Sequence, residues 1–316
     1  MERHALRGLL IAVAFAIAIP ASLAAGAARP SDGWRPPSLL PASFRLVAVG
    51  PAGGTIWMGR IPNHVVPTDD RLSAVYLPPN ASAAARYPVI YLLHGMSGSP
   101  SSYVDGMRLA QTADDLIARG ETRPFIAVIP VGGPTTHRDR GEWAGPWESY
   151  VVDDAVPWTD AHLPTIAARA ARAIAGLSAG GYGAIDIGLR HPSLFSTLES
   201  WGGYFRPFRD GPFIDASSSV LAAHTPALLV REEARRLREE GTRFYLSTGP
   251  SHGDVTWQAT VAFAREVSDL GLSCRLYLVH PDAAHIWRDQ LGPGLLAANG
   301  AAVGGSCDTS IANARP

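Results

Sequence analysis

The sequence predicts an α/β fold, a mostly parallel central sheet with helices on both faces. Three observations carry this. Strand-like and helix-like stretches alternate from about residue 87 to residue 299, as in a parallel sheet built with crossover helices. Tyr87-Pro88-Val89-Ile90-Tyr91-Leu92-Leu93 is a continuous apolar run, expected of a central strand covered on both faces. A short apolar strand from Ala173 meets a helix rich in glycine and alanine at Gly176-Leu177-Ser178-Ala179-Gly180. Small residues around that turn let a helix pack close to a sheet.

Along the chain, Phe44 to Val49, Gly54 to Arg60 and Arg71 to Leu77 read as strands separated by turns, an antiparallel opening to the sheet. The apolar strand 87–93 ends in His94-Gly95-Met96-Ser97-Gly98. A helix over Gly106–Arg119 and a strand over Phe125–Pro130 follow, then a polar and aromatic excursion with Trp143 and Trp147. Glu148 to His162 reads as a helix closed by Pro164. After the Ser178 turn and its helix come a strand from Leu194 to Ser200, an irregular insertion or lid over 205–224, and a charged helix from Pro226 to Glu240. Strands over Arg243–Ser247 and Leu272–Val279 enclose a helix over Val255–Leu270, and a helix over Trp287–Asn299 closes the pattern.

The 316 residues are 47% hydrophobic with a formal net charge of −1, which suits one large domain with a sizeable core. No internal repeat or second domain boundary is visible, so residues 44–300 are read as the domain and 301–316 as a tail. Near-neutrality argues against nucleic acid as a partner. Every basic side chain besides histidine is arginine. The absence of lysine excludes a Schiff-base lysine, a P-loop lysine and a Ser-Lys dyad. Neither H-E-x-x-H nor C-x-x-C occurs, so no metal motif is expected, and no cofactor is called for.

At the start, Arg3 and Arg7 precede an apolar run from Leu9 to Ile19, and small residues follow from Ala21 to Ala27. This reads as a signal peptide over 1–27, with an uncleaved anchor as the rival reading. A proline-rich arm over 28–43 leads into the domain. Export permits disulfides. The two cysteines are Cys274, near the start of the last strand, and Cys307, just beyond the helix that returns towards it. A bridge between them is expected to pin the tail, by about 3 kcal/mol in the loop-entropy account.

The G-x-S-x-G spacing around Ser178 at a strand-to-helix turn is that of a nucleophile elbow, which lifts a serine hydroxyl out of a sheet. Such a serine needs a base, and the base an orienting acid, each on a loop at the carboxyl end of a strand. His285 lies in the loop after the last strand, where the base belongs, with His280 at the end of that strand and His252 as the lesser candidates. Asp254 is the carboxylate in the loop after the preceding strand and is read as the acid. The same residue also suits a helix N-cap, and Glu199 is the reserve. The backbone amides of Met96 and Ala179 are the expected oxyanion hole. His94 is read as a structural hydrogen-bonding residue. Trp147, Trp201 and Trp287, with Trp143, are candidates for stacking on a substrate, against the plainer reading that they pack in the core.

Four stretches together resemble the esterase D family of α/β-hydrolases: Tyr87 through Gly95, Ala175 through Ala184, His191-Pro192-Ser193-Leu194-Phe195, and Ala284-His285-Ile286-Trp287. That family includes S-formylglutathione hydrolases, feruloyl and acetyl-xylan esterases, and secreted mycolyltransferases. The resemblance implies an α/β-hydrolase fold, a Ser178–His285–Asp254 triad, and Met96 and Ala179 as oxyanion donors. Trp147-Glu148-Ser149-Tyr150 is similar to a mycolyltransferase segment, whereas His94-Gly95 is closer to the general esterases.

The function expected is therefore a secreted or envelope-associated serine esterase. Its substrate would be a small-molecule, carbohydrate or lipid ester, processed through an acyl-enzyme. Two alternatives stand beside it: an acyltransferase that uses a sugar or lipid hydroxyl, and a catalytically silent cell-wall or carbohydrate-binding protein.

Overall fold

The strand β4 (Val89–Leu93) is buried at every position, and its side chains divide strictly between two cores. Val89, Tyr91 and Leu93 join one cluster, while Ile90 and Leu92 join the other, as the two-residue period of a strand requires. Each large apolar side chain so buried contributes about 1.5–3 kcal/mol. The run could be continuous and apolar because both faces are covered.

The computed structural model describes residues 39–65, 71–133, 142–249, 254–280, 286–301, 303–308 and 310. The proposed signal peptide lies outside them, as does most of the proline-rich arm. The remaining strands are β1 (Arg45–Val49), β2 (Thr55–Gly59), β3 (Ser73–Leu77), β5 (Ile126–Ile129), β6 (Arg172–Leu177), β7 (Thr197–Trp201), β8 (Arg243–Thr248), β9 (Ser273–Leu278) and β10 (Gly305–Ser306). They form one ten-stranded sheet in the order β1-β2-β3-β5-β4-β6-β7-β8-β9-β10. From β5 to β9 all neighbours are parallel. The β1-β2-β3 opening and its junction with β5 are antiparallel.

The helices are α1 (Leu109–Ala118), α2 (Pro146–Ser149), α3 (Val156–His162), α4 (Ala179–Arg190), α5 (Ser218–Ala223), α6 (Pro226–Glu232), α7 (Ala234–Glu239), α8 (Asp254–Asp269) and α9 (Ile286–Ala298). Trp158 of α3, Ile185 of α4 and Phe263 of α8 cover the Tyr91 face of the sheet. Leu109 and Leu116 of α1 and Leu291 and Leu295 of α9 cover the Ile90 face. Buried Asp114 of α1 accepts hydrogen bonds from Tyr76 Oη at 2.8 Å and from the Gly54 amide at 3.0 Å, fixing the β1–β2 turn to the helix layer.

Cys274 in β9 and Cys307 are joined by a disulfide with a Cα–Cα distance of 5.4 Å. The return of the chain along α9 brings them together, as expected. Beside the bridge, β10 adds an antiparallel edge to β9, an element too short to carry a sequence signal.

Elsewhere the elements differ from their sequence-based bounds for local reasons. The stretch 226–240 is two helices, α6 and α7, divided at Glu233 with φ −91° and ψ −1°. A single residue so close to helical geometry leaves the apolar period uninterrupted. The helix expected from Glu148 starts at Pro146 and passes through a π-helical turn, Tyr150–Ala155, before α3. It ends where Leu163 turns extended ahead of Pro164. The insertion over 205–224 contains a short 3-10 turn, Gly211–Phe213, and α5, which is capped by Ser217.

Candidate active site

Ser178 stands between β6 and α4 with φ +53° and ψ −118°, a backbone conformation that a residue with a Cβ adopts only under constraint. Two hydrogen bonds hold it. The Ser178 amide donates to the Trp201 carbonyl at 3.0 Å, and the Tyr182 amide donates to the Ser178 carbonyl at 3.0 Å. The flanking glycines are sterically required. A Cβ on Gly176 would sit 2.3 Å from the Gly180 backbone, and one on Gly180 would sit 2.0 Å from the Leu93 carbonyl oxygen. The spacing therefore brings β4, β6 and α4 together under the serine. As first residue of α4, Ala179 has an amide with no partner inside the helix.

The loop after β4 is seated against this turn. A Cβ on Gly95 would lie 2.7 Å from Leu177 Cδ1 and 3.4 Å from Ser178 Cβ. The Gly98 amide closes the loop on the Gly95 carbonyl at 2.9 Å, with Ser97 at φ +61°. Met96 and Ala179 pack in one apolar group with Ala144, Tyr182, Tyr204 and Phe213. The two expected oxyanion donors thus lie on segments that meet beside Ser178.

His94 is buried beneath that loop. Its Nε2 accepts from the Gly132 amide at 3.0 Å, and its Nδ1 lies 2.9 Å from the Gly95 carbonyl. That pair of partners fixes a neutral ring with the proton on Nδ1. Burial pushes its pKa down to about 4. His94 is a structural link between β4 and β5 and not a base.

Asp254 is the first residue of α8, two strands along the sheet from Ser178 on the connection leaving β8. His285 immediately precedes α9, on the connection leaving β9. Both connections leave carboxyl ends of strands parallel to β6. The Asp254 side chain and the whole of His285 lie outside the described residues. The reserve acid does not fit. Glu199 sits within β7, fully buried, with Oε2 accepting from Trp201 Nε1 at 3.0 Å and Oε1 without a partner among the described residues. Burial raises its pKa well above the ordinary carboxylate value.

The family model Esterase, described as "Putative esterase", matches residues 66–270, more than half of the chain. The chain belongs to this esterase family. An endo-1,4-beta-xylanase/feruloyl esterase of Xylanibacter ruminicola is 35% identical over 120 residues, covering 37% of this chain and 16% of that protein. An esterase of Mycobacterium tuberculosis is 32% identical over 158 residues, covering 46% of this chain and 33% of that protein. The chain thus spans a third or less of the length of these curated relatives. A solved ferulic acid esterase superposes with a TM-score of 0.68 at 22% identity, covering 78% of this chain and 98% of that one. The fold is that of the α/β-hydrolases, as the sequence predicted.

The tryptophans correct part of the expected binding surface of this family member. Trp201 has no exposed surface. Its indole N–H is spent on Glu199, and a Cβ on Gly294 of α9 would fall 2.3 Å from its ring. Trp147 is 6% exposed, edge-on to Tyr150 and under the Arg71 guanidinium at 5.8 Å. Trp143 is buried and donates to the His94 carbonyl at 2.9 Å. These three rings pack in the core and present no face to a ligand. Only Trp287 of the four is half-buried, at the start of α9 beside the base candidate.

Sequence reasoning missed an aromatic and acidic group next to Ser178. Tyr182 stacks on Tyr204 with centroids 5.1 Å apart, and the Tyr204 hydroxyl donates to Glu142 Oε1 at 2.6 Å. Burial pushes the Glu142 pKa up to about 8, helped by the charges of Asp210 and Asp186 and opposed by Tyr204. Glu142 and Tyr204 are 62 positions apart, so no local pattern announces the pair. An open depression of about 520 Å³ lies on the 205–224 insertion, between Gly211 and Val220. Its lining includes Ala216, which packs against the Ala179 group. Among the described residues, Glu148, Asp186 and His224 are grouped closely enough to hold a metal ion.

Proposed function

We propose that the chain is a serine esterase that hydrolyses carboxylic esters through an acyl-enzyme. The observation that carries this reading is Ser178, held at φ +53° on the β6–α4 turn, with the Met96 loop packed against it. In this reading His285 removes the Ser178 proton as the hydroxyl attacks the ester carbonyl. Asp254 orients His285 and stabilises its protonated form. The amides of Met96 and Ala179 hold the oxyanion, each lowering the barrier by about 3 kcal/mol. His285 then protonates the departing alcohol, and water attacks the acyl-Ser178 ester to release the acid. Relatives described as feruloyl and ferulic acid esterases support an ester of a carboxylic acid as substrate. Export is part of the proposal. It rests on the apolar run Leu9–Ile19 and is compatible with the Cys274–Cys307 bridge.

Transfer to a sugar or lipid hydroxyl is the weaker version of the same chemistry. The segment that suggested it, Trp147 to Tyr150, is occupied with packing. Trp147 is in the core, and Glu148 is paired with Arg190 and His191. The test is hydrolysis of a p-nitrophenyl ester by the purified chain. Ser178→Ala is expected to lower kcat by at least about 10⁴-fold. Equal turnover by Ser178→Ala overturns the proposal.

A further inference from the structure

Where the 205–224 insertion meets α2 and α4, three elements bring ionisable side chains together in a way ester hydrolysis does not use. Glu148 of α2, Asp186 of α4 and His224, just past α5, are all buried, and one ligating atom of each lies within 4.8 Å of the other two. His224 Nδ1 is 2.7 Å from Asp186 Oδ2. Asp186 is fully buried, and its Oδ1 has no hydrogen-bond partner among the described residues. Arg190 pairs with Glu148, whereas Asp186 faces the His224 ring and keeps Oδ1 open among the described residues, and a buried carboxylate oxygen left so favours a cation beside it.

The surroundings hold the three groups in place. Glu148 Oε1 accepts from Arg190 Nε at 2.8 Å and lies 2.7 Å from His191 Nε2. Arg190 Nη1 donates to the Ala223 carbonyl at 2.9 Å, and the Tyr182 hydroxyl donates to the His224 carbonyl at 2.8 Å. The Phe213 ring packs 5.1 Å from the His224 ring. Partners of this kind orient metal ligands from outside the coordination sphere. The residues are scattered over three elements, so no ligand spacing appears in the sequence.

We propose that Glu148, Asp186 and His224 form a binding site for one divalent transition cation of the zinc type. It fastens the lid helix α5 to the helix that carries Ser178. One imidazole nitrogen and two carboxylates suit Zn²⁺ or Mn²⁺ better than Ca²⁺ or Mg²⁺, which prefer oxygen alone. Small side-chain movements bring the three atoms to the roughly 2.1 Å that zinc requires. Arg190 and His191 stay on Glu148 Oε1 as outer partners. The competing occupant is a proton on His224 Nδ1, shared with Asp186 Oδ2.

The test uses the full chain, stripped with a chelator and dialysed. Zinc is titrated by calorimetry, metal content is measured after gel filtration, and Co²⁺ binding is followed by its visible absorption. The expected result is one zinc per chain and a Tm raised by about 5 °C at a hundredfold excess over Kd. Asp186→Asn and His224→Gln each weaken binding at least tenfold, while Ser178→Ala leaves it unchanged. Zinc uptake that is absent, or equal in wild type and both variants, overturns the site and assigns the position to a proton. Should the variants fail to fold, X-ray absorption of the zinc-loaded wild-type chain decides. One imidazole with oxygen ligands is expected, and two or more imidazoles contradict the proposal.

Discussion

Gly180 shows how much of the site one missing methyl group controls. A Cβ there would meet the Leu93 carbonyl oxygen at 2.0 Å, and the next contact is the Leu93 carbonyl carbon at 2.5 Å. Both are backbone atoms in the central strand, so neither can move aside cheaply. Gly180→Ala is expected to destabilise the fold by several kcal/mol, of the order seen for overpacked cores, and to abolish esterase activity in any protein that still folds. Chemical denaturation beside a p-nitrophenyl ester assay checks both.

Glu142 sets a second prediction at this scale. Its folded pKa of about 8 lies above the usual 4.3 or so of an unfolded glutamate. Between those values the native state holds a proton that the unfolded state has released. Stability from this group is therefore lost as pH rises through that window, at up to about 1.4 kcal/mol per pH unit. Glu142→Gln removes the titration and keeps an acceptor for Tyr204. Its stability relative to wild type is expected to climb from pH 5 to pH 8 and then level off. A difference that stays constant with pH across denaturant titrations contradicts the assignment.

At the scale of elements, the disulfide is the clearest device. Cys274 and Cys307 are separated by 33 positions, and the bridge fastens the stretch after α9 to β9 beside the short β10 pairing. Closing a loop of that length in the unfolded chain is worth about 3–4 kcal/mol. The double variant Cys274→Ser/Cys307→Ser is expected to lose roughly that much unfolding free energy while retaining ester turnover, since neither sulfur is near Ser178 in the sheet order. Equal stability of the oxidised chain and the double variant in urea would remove the bridge from the account. The lid is built differently. The end of its short helix α5 is tied down by Tyr182 and Arg190 of α4, so the helix that follows Ser178 also anchors the insertion.

Much of the whole molecule was legible because its signals are local. The apolar run ending in Leu93 marked the central strand, and the Ser178 turn marked where a helix meets the sheet. Cys274 and Cys307 fell close because α9 reverses the chain. What stayed hidden depends on partners far away in sequence. Nothing near Trp201 says that its indole faces Glu199 under α9 and is sealed from solvent. Nothing near Glu142 names Tyr204 as its partner. The division at Glu233 is a change of a few tens of degrees in ψ at one residue, which leaves the amphipathic period intact. Composition spoke at the largest scale: neutrality and the lack of lysine narrowed the chemistry before any element was placed.

The central claim is that Ser178 carries an acyl group during turnover. It is tested by mixing the purified chain with a p-nitrophenyl ester, quenching, and mapping the adduct by peptide mass spectrometry, with and without a sugar acceptor. The account predicts one acyl group on Ser178 that decays to free acid at the same rate with or without the acceptor. Decay accelerated by the acceptor, with an acylated sugar as product, would make the chain a transferase. An adduct on another residue, or ester turnover with Ser178 never acylated, would contradict the account.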